Sequence, residues 1–168
     1  MALDTYDNLK SEIASFLNRD DLTANIDTFI DLAETRHARD LRIREMEAVS
    51  TSITTVAGTQ SYDLPTGYLE LRYAMLQTSP YTMLQYMTPA DFFRVYNEGE
   101  GTGMPVYYTI VGKKIYLGHS PDSANVLELG FFQRATALSS SNTTNDILTN
   151  FPDLYLYGSL AETSPFLM

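Results

Sequence analysis

There is no cysteine among the 168 residues, so a disulfide framework, a thiol nucleophile, a thiolate zinc site and an iron–sulfur cluster are excluded. Positive charge is scarce. Eleven Lys and Arg stand against 21 Asp and Glu, a formal net charge of -10, which leaves too little cation to neutralise many phosphates and disfavours sequence-reading nucleic-acid binding. No apolar run approaches the roughly 20 residues that span a bilayer. The first residues, with Asp4, Asp7 and Asn8, lack the basic segment and apolar stretch of a secretory signal. A soluble chain with no membrane contact is expected. What is present is core material: 44% of residues are hydrophobic, with 12 Tyr and 8 Phe. A chain of this length can bury roughly 70% of its unfolded surface in one domain.

Two amphipathic helices open the sequence. Tyr6, Leu9, Ile13, Phe16 and Leu17 recur at helical spacing behind Thr5, a suitable N-cap, and this helix should end near Arg19. After the polar Asp20-Asp21 turn, Leu22, Ile26, Phe29, Ile30, Ala33, His37 and Leu41 share a longer apolar face, with Asp27, Asp31 and Glu34 opposite. The short turn implies an antiparallel αα-hairpin. From Leu41 the period changes, as Leu41 and Ile43 alternate with Arg42 and Arg44, which predicts a strand. Further strands are expected around Ile53 and Val56, from Tyr68 to Leu76, from Tyr81 to Met87 and from Val126 to Gln133. Val106 to Val111 and Ile115 to Gly118 form a hairpin across Gly112-Lys113.

Thr88-Pro89-Ala90-Asp91 combines an N-cap, a first-turn proline and an acidic residue, and opens a short helix carrying Phe92, Phe93 and Tyr96. Ser139 to Asn145 reads as a polar loop, and a last helix begins at Asp153. The fold class is therefore α+β. An N-terminal αα-hairpin and the C-terminal helix, residues 1–40 and 146–168, pack as a small helical bundle. An antiparallel β-rich region, residues 41–145, is inserted between them and carries one short helix at about 88–97.

The sequence nominates no catalytic residue, cofactor or metal site. Gly99-Glu100-Gly101-Thr102-Gly103 resembles a phosphate loop only in glycine content, because it follows a helix, precedes a strand and carries a carboxylate. His37 lies on an apolar helix face with no second ligand at helical spacing, so a buried or interfacial histidine is the simpler account. The notable charge feature is Arg36, Arg39, Arg42 and Arg44, half of the eight arginines within nine residues. They form either a solvated face paired with Glu34, Asp40, Glu45 and Glu47, or an interface whose guanidinium forks meet carboxylates of a neighbour.

Several motifs taken together resemble a known family. They are Tyr6-Asp7-Asn8-Leu9 through Phe16-Leu17, Phe29 to Glu34 followed by Arg39-Asp40-Leu41-Arg42, and Gly58 with Ser61-Tyr62-Asp63-Leu64-Pro65. To these are added Pro105, Tyr108 and Ile115-Tyr116-Leu117, and Phe151-Pro152-Asp153-Leu154-Tyr155-Leu156-Tyr157-Gly158. In this order they resemble the head-to-tail adaptor proteins of tailed bacteriophages, the group that includes tail tubular protein A of short-tailed phages. The resemblance implies a non-catalytic structural protein of the virion neck, assembled in the host cytoplasm. Its copies would form a ring, typically of twelve, between the portal protein and the tail tube or nozzle protein, with DNA passing through without sequence-specific binding. Relatives commonly carry a C-terminal extension that clips onto the portal, and since the sequence stops at Met168 that element is expected to be shortened or missing.

The candidate partner-contacting residues are Arg36, Arg39, Arg42 and Arg44, with Tyr155 and Leu156 on the side of the last helix turned away from Tyr157, Leu160 and Ala161, and Phe166 and Leu167 beyond it. The alternative from another class is a tail-associated carbohydrate-binding or hydrolytic module. That would need two carboxylates facing one cleft, and no spacing nominates them.

Overall fold

The computed structural model describes residues 3–96 and 101–166. It forms two units, Met1–Met46 with Arg134–Met168, and Glu47–Gln133. The helices are α1 (Tyr6–Leu17), α2 (Ile26–Asp40), α3 (Pro89–Val95), α4 (Asp146–Asn150) and α5 (Pro152–Glu162). The strands are β1 (Glu47–Thr54), β2 (Ser61–Asp63), β3 (Tyr68–Leu76), β4 (Thr82–Met83), β5 (Gln85–Tyr86), β6 (Tyr107–Val111), β7 (Lys114–Gly118) and β8 (Val126–Gln133).

In the helical unit, α1 starts where the Thr5 hydroxyl accepts the Asn8 N–H at 3.3 Å, and stops where Asn18 turns left-handed at φ 48°. Its buried residues are Tyr6, Leu9 and Ile13, but Phe16, expected in the same stripe, is exposed. Leu22 belongs to a 3₁₀ segment, Asp20–Asn25, and α2 begins only at Ile26. The third surface the hairpin needs is α5, which packs on both α1 and α2 more extensively than those two pack on each other. Its backbone approaches α2 closely at Gly158. A Cβ there would lie 2.9 Å from His37 Nε2 and 3.4 Å from the Ala33 methyl, so this crossing leaves no room for a side chain.

The β unit contains two four-stranded sheets, ordered β1-β8-β3-β4 and β2-β7-β6-β5. Alternation along β8 sends Leu127, Leu129 and Phe131 inward. Opposite them, Tyr108, Ile115 and Leu117 supply the second sheet's share of a common core. The central strands β3 and β8 occupy the segments expected from sequence, and β6 and β7 form the expected hairpin, with Gly112 at φ 61° in its turn. The expected strand from Tyr81 to Met87 is split. β4 pairs antiparallel with β3, and β5 crosses to the other sheet, where it pairs parallel with β6. α3 is capped as expected, the Thr88 hydroxyl accepting the Asp91 N–H at 3.3 Å.

The units meet the chain at Met46/Glu47 and Gln133/Arg134, not at 40/41 and 145/146. Residues 41–46 form no strand: the Leu41 to Arg44 alternation leads into a 3₁₀ turn, Arg44–Met46, before β1 starts. Residues 134–145 are tied to the helices instead. The Leu138 N–H reaches Glu34, and the Thr143 carbonyl accepts the Tyr6 N–H at 2.7 Å.

Candidate functional site

The four arginines have different local partners. Arg36, on α2, meets Glu162 of α5 at 2.8 Å, so it ties two helices of the bundle together. Arg42 donates to the Ala38 and Leu41 carbonyls at 3.1 and 2.6 Å, satisfying acceptors left open at the end of α2. Arg39 pairs with its exposed neighbour Asp40, at 2.9 Å. That hydrogen bond holds the Asp40 carboxyl below its usual range. Arg44 is exposed in the 3₁₀ turn. All four are exposed, but Arg36 and Arg42 also hold contacts that fix the end of α2 and its crossing with α5.

The last helix is oriented opposite to expectation. Tyr155 is 1% and Leu156 5% exposed, whereas Tyr157 is 62% exposed and Ala161 is also on the surface. Tyr155 and Leu156 are core residues of the helical unit and unavailable to a partner. Apolar residues occupy nearly every position from Leu154 to Tyr157, so helical spacing could not choose the buried side. The small residues choose it, because Gly158 and Ser159 allow the close approach to α2. Phe166 is exposed, although its ring meets the buried Phe29 edge-to-face at 5.1 Å. Leu167 lies outside the described residues.

The sequence reading missed a buried polar cluster. Glu34, assigned there to the polar face of α2, is buried, and its Oε1 accepts the Leu138 N–H at 2.8 Å and the Tyr155 hydroxyl at 3.1 Å. Asn145 extends the cluster. Its amide donates to the Tyr155 oxygen at 2.7 Å while its carbonyl caps α4 through the Leu148 N–H at 2.8 Å. Burial pushes the Glu34 carboxyl up, against the pull of its two donors, and burial also pushes the Tyr155 hydroxyl up. His37, buried as expected, stands edge-on to Tyr155 at 5.3 Å, and burial lowers its imidazole. The signal was legible, since Ile30, Ala33, Glu34 and His37 follow i, i+3, i+4, i+7 spacing, which places Glu34 within the apolar stripe.

This cluster is a structural latch. A small cavity bordered by Glu34, His37, Met46, Arg134, Ile147 and Tyr155 has room for little more than water. Among the described residues, no three His, Asp or Glu are grouped to hold a metal ion, and no helix is long and apolar enough to cross a membrane. The glycine-rich stretch lies partly outside the described residues. Its described end spends a donor internally, the Gly103 N–H bonding the Ser120 carbonyl at 2.9 Å.

The arrangement offers helices fixed by a polar latch, a two-sheet β unit and outward-facing arginine and aromatic side chains, which suits recognition of other proteins. No curated protein matches the chain. The family described as SU10 adaptor protein matches it over residues 4–168, nearly its whole length. The chain belongs to the SU10 adaptor protein family.

Proposed function

We propose that this phage structural adaptor is a subunit of the virion neck, in the manner of the tail tubular protein A group. Its copies assemble as a ring, typically of twelve, that joins the portal protein to the tail tube or nozzle protein and lets DNA pass. The observation that carries this reading is the family match from residue 4 to residue 168. The charge supports it: -10 per chain, repeated around a channel, repels phosphate and keeps DNA from adhering. Arg39 and Arg44, exposed and outside the latch, are offered to carboxylates of neighbouring chains, and Tyr157 and Phe166 to apolar contacts.

Like-charge repulsion keeps free subunits apart, so the ring forms on the portal, in the host cytoplasm, after packaging. Electron micrographs of the purified protein, alone and mixed with the portal protein of the same phage, test this. Monomers alone and rings on the portal are expected. Stable rings without portal overturn the templating, and absence of any association with portal overturns the neck assignment.

A further inference from the structure

The edges of a β-sheet normally carry charge, which blocks pairing with other strands. The first sheet of the β unit reverses this. Its charged residues, Glu70, Arg72 and Glu128, lie on the central strands β3 and β8. Its edge strands are β1 and β4, and apart from Glu47 at the start of β1 they are uncharged. No Asp, Glu, Lys or Arg occurs in residues 48–62 or 73–90, in a chain of net charge -10.

Both edges also expose apolar side chains, Val49 at 63% on β1 and Met83 at 56% on β4, flanked by exposed Val56, Tyr81 and Tyr86. The Leu84 N–H bonds the Ala74 carbonyl at 2.9 Å, and the Gln85 and Met87 N–H groups bond Val106 and Tyr108 at 2.8 and 2.9 Å. By the alternation of strand hydrogen bonding, the Met83 and Tyr86 amides face away from their sheets. Short β4 and the bulge in β1 between Ser50 and Ile53 restrict pairing to a matched partner.

We propose that the β4 edge of one copy docks on the β1 edge of a second copy of this chain, so that copies associate head to tail through their first sheets. Two observations select a second copy. The strands alternate in direction across β1, β8, β3 and β4, so β4 meets the next copy's β1 antiparallel and the sheet continues in register type. Between chains that each carry -10, uncharged edges also let the backbones approach without opposing charge. Because the two edges differ, the contact is heterologous and propagates, closing into a ring when its rotation permits. This deepens the assembly proposed above and rests on it for the claim that copies associate.

Since the chain has no cysteine, Val49→Cys and Met83→Cys at exposed positions give clean handles. A short bis-maleimide is added to each single variant, to their mixture and to the double variant, with and without portal protein, and micrographs are taken in parallel. The expected result, with portal present, is dimers only in the mixture, a ladder from the double variant and loss of both in a control pair of Met83→Cys with Val111→Cys, the latter on β6. Dimers of a single variant, or equal cross-linking of the control, overturn the head-to-tail edge. Rings on the portal without cross-links overturn the edge but leave the assembly standing. Neither rings nor cross-links overturn both, and ladders without rings retain the edge contact and overturn ring closure.

Discussion

The two units of this chain solve the problem of a stable interior differently. In the β unit the core is a cluster of Ala74, Leu76, Leu84, Tyr108, Ile115, Leu117, Leu127, Leu129 and Phe131, with Thr55 and Thr109 as its buried polar residues. In the helical unit Glu34, His37, Ser159 and Thr163 are buried beside the apolar residues, and the packing of α5 on α2 is joined by a buried hydrogen bond from Tyr155 to Glu34. The difference teaches where each unit is vulnerable. A greasy core loses stability in proportion to volume removed, whereas a core with a polar latch fails when one partner leaves another unpaired.

Leu129→Ala should have the largest effect, lowering stability by about 2–5 kcal/mol in thermal or denaturant melts, because Leu129 is fully buried between the two sheets. A smaller loss would mean that this core can collapse around the gap. Glu34→Ala should cost about 1–3 kcal/mol by stranding the buried Leu138 N–H and Tyr155 hydroxyl. Glu34→Gln keeps an acceptor and should recover most of it. Equal losses from the two variants would show that the latch contributes packing alone.

Ser159→Ala should raise stability by up to about 1 kcal/mol, since the buried Ser159 hydroxyl has no hydrogen-bond partner among the described residues. A loss instead would give that hydroxyl a role in the bundle. Burial holds the His37 imidazole below its ordinary value of 6.5. As the pH falls through 6.5 toward that lower value, the unfolded chain takes up a proton the folded chain refuses, so stability present above this window is lost within it. His37→Gln should flatten that part of the melting-temperature profile, and an unchanged profile would remove His37 as its source. Arg39→Glu should leave melting nearly unchanged, because its pair with Asp40 is on the surface, while incorporation into rings on the portal falls. Normal incorporation would make Arg39 a solvated residue and nothing more.

How much of this was legible in the sequence depended on whether the deciding contact was local. β3 and β8 could be read from their own residues, as could the Thr5 and Thr88 caps. β5 could not, because its pairing with β6 spans distant parts of the chain and leaves no mark on the pattern of Gln85 and Tyr86. The Leu41 to Arg44 alternation suggested a strand, but among the described residues the segment pairs with no strand and leads into a 3₁₀ turn. Among the candidate contact residues, Arg36, Arg39, Arg42, Arg44 and Phe166 are exposed, while Tyr155 and Leu156 were misplaced because α5 is apolar almost all round.

The order of the two units along the chain bears on how the protein is made. The β unit is contiguous, from Glu47 to Gln133, whereas the helical unit is assembled from both ends. During synthesis the β unit has emerged once residue 133 has left the ribosome, at a time when α5 is still held in the exit tunnel. The apolar faces of α1 and α2 wait through that interval without the helix that covers them. The helix that closes the bundle thus follows the whole β unit in the chain, and a chain truncated before Pro152 carries every strand but leaves α1 and α2 without the helix that covers them.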